Sequence, residues 1–141
     1  MSWDEDTLDE VYHKTDGKCH ICGKKLSRIN YGSPGSKGAW EIEHSNPRAE
    51  GGTDHLNNLY PAYVTCNRSK GTRSSRSARA EHGRTRAPYS RQKKQEKRQA
   101  SAVKGAVVFG TILGLLFGVK AGVAGASISG LICYNQDPDD D

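Results

Sequence analysis

The sequence predicts an α+β fold: a small strand–loop–strand–helix domain with a C-x-x-C knuckle, then a basic linker and an apolar C-terminal α-helix. Three stretches carry that expectation. "AWEIEH", 39–44, alternates apolar and polar residues with the period of a half-buried strand. "LYPAY", 59–63, is a second strand-like run, and Pro61 confines it to an edge or a strand end. "TCNRSKG", 65–71, opens a short helix with Thr65 as a candidate N-cap.

At the N-terminus, residues 2–15 read as a helix, with Leu8, Val11 and Tyr12 on one face, acidic residues in the first turn and Gly17 able to stop it. "CHICGKKL" follows as a knuckle in which Gly23 can take the positive φ of a tight turn. "NYGSPGSKG" is a loop by its turn residues. In the first strand Trp40, Ile42 and His44 share one face, and Glu41 and Glu43 share the other. "NPRAEGGTDHLNN" is a long, turn-rich connection to the second strand.

The chain of 141 residues has room for one small domain and some extra, and its net charge of +5 is unevenly spread. Met1 to Asn67 holds seven Lys/Arg against ten Asp/Glu, whereas Arg68 to Lys104 holds thirteen Lys/Arg against Glu81 and Glu96 alone. The acidic start has neither the basic residues nor the apolar run of a secretory signal. The four cysteines are Cys19, Cys22, Cys66 and Cys133. A C-x-x-C pair in a reducing compartment points to metal or redox chemistry rather than to a disulfide scaffold, and no thioredoxin-like pattern surrounds this one.

Taken in order, "CHIC", "EIEH" at a strand end, "GGTDHLNNL" and "CNRSKG" resemble the HNH endonucleases, the ββα-metal or His-Me finger group. The resemblance covers roughly residues 8–75. It implies metal-dependent hydrolysis of a phosphodiester in DNA. His44 becomes the general base, a role suited to a side chain whose ordinary pKa lies near neutrality. Glu43 and Asn67 become oxygen ligands of a catalytic Mg²⁺ or Mn²⁺, a hard ion that keeps several waters. Asn58 braces the connecting loop or orients His44, and Arg68, Lys70 and Arg73 contact nucleic-acid phosphates. His55, inside the loop, competes with His44 for the role of base and fits the pattern less well.

Members of that group often hold a structural zinc between two pairs of ligands. Here the second pair is "YVTC", so Tyr63 stands where a soft ligand is expected. Cys19, Cys22 and Cys66 supply three of the four N or S donors that tetrahedral zinc requires. The fourth is a histidine from elsewhere, His13 or His20 being closest in sequence, or a water. Alternatively the metal is lost and Tyr63 packs in its place.

Residues 1–75 are thus expected to form the nuclease domain and 76–102 a mostly disordered basic linker, helical at best over "RQKKQEKRQA". That linker suits sequence-blind phosphate contacts or anionic lipid headgroups. In 103–133 small residues recur at every fourth position, among them Gly110, Gly114, Gly118 and Gly122. Such a ridge suits a transmembrane helix that packs closely against another, so a lipid bilayer and a second copy of the chain are expected partners. Residues 134–141 are an acidic tail. The basic block before the span places the nuclease domain of a single-pass protein in the cytoplasm. The rival readings are a membrane-embedded oligomer or pore whose head only binds nucleic acid, and a soluble zinc module.

Overall fold

The structure is a computed structural model and describes residues 3–103. It divides into a unit ending at Arg91 and a second beginning at Gln92. In chain order the first unit holds helix α1 (Glu5–His13), strand β1 (Trp40–His44), strand β2 (Leu59–Tyr63), helix α2 (Val64–Lys70) and helix α3 (Ser75–Ala80). Single 3-10 turns stand at Arg28–Asn30, Arg48–Glu50 and Leu56–Asn58.

α1 starts later and ends earlier than 2–15. Asp4 caps it, accepting from the Thr7 backbone N–H at 2.7 Å, and Glu5 and Asp6 complement the N-terminal dipole. Its buried face is Leu8 and Val11. β1 and β2 form an antiparallel two-stranded ribbon in the register Trp40↔Tyr63, Ile42↔Pro61 and His44↔Leu59. Trp40 is fully buried, and the rings of Tyr12 and Tyr31 lie 5.3 and 5.0 Å from its own. Leu8, Val11, Ile21, Leu26, Ile42, Leu59 and Ala62 complete the core around it.

Pro61 sits in the middle of β2, which is tolerable because a two-stranded ribbon has only edges. The knuckle is pinned along the outer edge of β2. The His20 N–H donates to the Pro61 carbonyl at 3.0 Å, and the Tyr63 N–H donates to Cys19 Sγ at 3.4 Å. α2 begins one residue before the expected cap: Tyr63 is its N-cap position and no side chain caps it, so Thr65 lies inside the helix.

The unit does not end at residue 75. α3 is capped by Ser74, whose Oγ accepts from the Ser77 N–H, and it buries Ser75 and Ala78, the latter within the main core. A basic composition hid this element, because its buried face is made only of small residues. In the second unit, residues 92–103 are helical. Among the described residues no helix is long and apolar enough to cross a membrane. The expected span and acidic tail, with Cys133 and the glycine ridge, lie outside the described residues apart from Val103.

Candidate active site

His44 ends β1, and the connection that follows folds back over it. Arg48–Glu50 is a 3-10 turn closed by Gly51 at φ +80. Gly52 has no room for a side chain, since a Cβ there would stand 1.8 Å from the Asn46 carbonyl oxygen. The two glycines therefore do different work: one supplies a left-handed backbone, the other close approach. Asn58 ties the loop together. Its Oδ1 accepts from the Asn46 N–H at 2.7 Å, and its Nδ2 donates to the carbonyls of Asn46 at 3.0 Å and Thr53 at 2.8 Å. Those bonds make Asn58 a brace of the loop backbone, with no bond to the His44 ring.

The group that meets His44 is Asp54. His44 Nε2 lies 2.8 Å from Asp54 Oδ1, and Arg48 holds the same carboxylate through Nη2 at 2.7 and 2.8 Å. The hydrogen bond from His44, followed by those from Arg48, holds the Asp54 carboxyl below the usual range. Asp54 thus engages Nε2 of the ring rather than Nδ1. Arg48 Nε donates to His44 Nε2 at 3.2 Å as well as to Asp54 Oδ1 at 2.9 Å. Sequence reasoning passed over Asp54 and weighed its neighbour His55, which is exposed. The available signal was chemical: a histidine acting as base needs an acceptor for its second ring nitrogen, and Asp54 is, with Glu50, one of the two carboxylates flanking the glycine pair.

Glu43 faces the other way. Its side chain is fully buried, with Oε1 2.7 Å from Lys70 Nζ and Oε2 against His20 Nε2. Ser75 Oγ adds a long contact at 3.4 Å, and the His20 ring stacks on Tyr60. Burial works to raise the Glu43 pKa, but hydrogen bonds and charge from His20 and Lys70 outweigh it and hold the carboxyl low. Burial wins at His20 and drives its pKa down despite Glu43. Lys70, expected at a phosphate, is buried instead, and its Nζ also donates to the His44 carbonyl at 3.1 Å. A lysine one helical turn after Asn67 points back at β1, which a count of basic residues does not reveal. Arg68 is exposed on α2, while Arg73 is engaged by Glu81 and the Ser69 carbonyl.

Asn67 donates from Nδ2 to Glu41 Oε1 at 2.9 Å. Glu43, His44, Asn67 and Lys70 nevertheless line one cavity of about 210 Å³, together with Pro47 and Arg48. Carboxylate and amide oxygens beside an imidazole are the donor types a hard divalent ion takes. The Lys70 ammonium is the cation that neutralises Glu43 in this arrangement.

On the outer edge of β2 the Sγ atoms of Cys19, Cys22 and Cys66 lie within 4.8 Å of one another. All three are free thiols. Hydrogen bonds from Cys19 and then Cys66 push the Cys22 thiol down to about 2; the contact with Cys22 raises Cys19, and contacts with Cys19 and then Cys22 raise Cys66. Three converging sulfurs, with Cys22 the one poised as a thiolate, fit a soft metal such as zinc. Tyr63 gives no fourth donor. Its hydroxyl donates to the Lys25 carbonyl at 2.8 Å, and burial, then the nearby sulfurs, raise its pKa and keep the phenol protonated. Nor does His20, whose ring is held between Glu43 and Tyr60.

Residues 19–73 match the family model described as HNH endonuclease. The matched segment begins at the first knuckle cysteine, contains both strands and α2, and ends before α3. The match supports a nuclease role on nucleic acid for this segment. No curated protein and no solved structure matches the chain.

Proposed function

We propose that the first unit is a metal-dependent HNH endonuclease that hydrolyses phosphodiester bonds in DNA. The observation carrying this reading is the single cavity lined by His44, Glu43 and Asn67. His44 takes the proton of the attacking water at Nδ1, while Asp54, on Nε2, fixes the ring plane. Arg48, paired with Asp54, stands where incoming phosphate oxygens can be met. Glu43 and Asn67 would hold the divalent ion, which supplies charge stabilisation at the phosphate. Water attacks phosphorus, the phosphorus–oxygen bond to the leaving strand breaks, and the leaving oxygen acquires a proton. Exposed Arg68 and the basic residues beyond it add salt-sensitive phosphate contacts. Cys19, Cys22 and Cys66 would hold a structural zinc, which would fix the knuckle on β2. Residues 103–133 would tether the protein to a membrane with the nuclease unit on the cytoplasmic side, and their spacing of small residues would permit self-association; the apolar run, the small residue at every fourth position and the basic block before it support this reading.

The test is nicking of supercoiled plasmid by the full chain with Mg²⁺, Mn²⁺ or chelator, beside His44→Ala. Metal-dependent nicking that His44→Ala abolishes, with DNA binding retained, is the expected result. A second reading, a head that binds nucleic acid without cutting it, is favoured by the Lys70 ammonium on Glu43. It predicts binding with no metal-dependent nicking in the unaltered protein.

A further inference from the structure

We infer that the fourth ligand of the cysteine cluster is His82, supplied from beyond the matched segment by the turn after α3, so that the site is Cys3His with Tyr63 outside it. The chain has five histidines; placement sets three aside, and His13, exposed like His82, is the control in the test below. His20 is held by Glu43 and Tyr60. His44 and His55 stand at or beyond the Leu59 end of β2, whereas the cysteines gather at the Tyr63 end. Four residues of strand separate those ends by roughly 13 Å at about 3.3 Å per residue. His13 is exposed at the end of α1, with its ring edge-on to Tyr12.

The turn carrying His82 lies against the knuckle. His82 N and Arg84 N both donate to the Arg79 carbonyl, at 2.9 and 3.0 Å, with Gly83 at φ +68 between them. This folds the chain so that Arg84 packs on Gly23, the residue directly after Cys22. A Cβ at Gly23 would stand only 2.5 Å from Arg84 Nη1. His82, two residues earlier, is exposed, and its ring has no hydrogen-bond partner among the described residues. It is also close enough for its charge to favour the Cys22 thiolate. Three thiolates and a neutral imidazole around Zn²⁺ leave one negative charge, which the Arg84 guanidinium beside the knuckle offsets. A ligand from the turn after α3 also explains why this chain tolerates tyrosine at position 63.

The full chain is to be titrated with zinc and, separately, with cobalt(II), whose absorption reports thiolate ligation and tetrahedral geometry. One zinc per chain and a tetrahedral, thiolate-rich cobalt spectrum are expected. His82→Ala should weaken zinc binding by at least about tenfold, since even indirect partners of a metal site are worth roughly 10–100-fold, and should shift the cobalt ligand-field bands. His82→Cys should restore affinity with stronger thiolate absorption, and His13→Ala should change neither quantity. The inference is overturned if His82→Ala matches the unaltered protein, if His13→Ala produces the loss instead, or if the unaltered chain holds no zinc. DNA cleavage is not the readout, so a failure here is separable from a failure of the nuclease reading.

Discussion

Replacing Lys70 by Met is the sharpest test of how the first unit is held together. Lys70 Nζ and Glu43 Oε1 are 2.7 Å apart with almost no solvent exposure on either side chain. Removing one member of a buried ion pair leaves the other charge stranded, typically at about 3–5 kcal/mol. His20 remains on the second carboxylate oxygen, so the lower end of that range, about 3 kcal/mol, applies. The measurement is urea unfolding followed by the fluorescence of Trp40, which is buried between two tyrosines. The cycle is closed with Glu43→Leu alone and with the double variant. The double variant should be less destabilised than the sum of the single ones, by roughly 0.5–3 kcal/mol, because it leaves neither charge alone. Loss of less than about 0.5 kcal/mol for Lys70→Met, the size of an ordinary surface substitution, would refute the buried pair.

Other perturbations test neighbouring parts. Glu43 and His20 both have lowered pKa values in the folded state, so the unfolded chain binds more protons and acid destabilises the fold. Stability should begin to fall as pH drops below about 6.5 through His20, and fall further below about 4.3 as Glu43 protonates, with His20→Gln removing the first phase. Asp54→Asn should lower kcat by about a hundredfold with KM little changed, because the His44 ring loses its fixed orientation; plasmid nicking kinetics measure it, and an unchanged kcat counts against Asp54 as the orienting group. Gly52→Ala should destabilise by about 1–3 kcal/mol through the collision with the Asn46 carbonyl, measured by the same unfolding assay. Gly114→Leu should weaken crosslinking between copies in membranes, and unaltered crosslinking would remove the ridge from the self-association proposal.

The ribbon and α2 were legible because their signals are local: alternation in "AWEIEH", and a polar run opening after "LYPAY". Pro61 was readable as an edge residue for the same reason. The partners of the chemistry were less so. Glu43 and His44 are adjacent in sequence, yet the pleat sends them to different neighbours, one to Lys70 and His20 and the other to Asp54. Which carboxylate meets the histidine depends on how a loop of fourteen residues, 45–58, closes, and no periodicity encodes that. α3 was missed because burial at Ser75 and Ala78 needs little apolar volume. Lys70 was misassigned because a basic residue within a basic block looks solvated until a buried carboxylate is found opposite it.

The placement of α3 has a practical side for anyone trimming the gene. Ser75 Oγ reaches both the Glu43 carboxylate and the Ser45 carbonyl, and Ala78 fills part of the core. A fragment stopped at the edge of the matched segment would open that face to water and uncover a charged carboxylate beneath it. The shortest piece worth expressing therefore runs to about Arg91, and shorter ones invite aggregation that would be mistaken for an inactive enzyme.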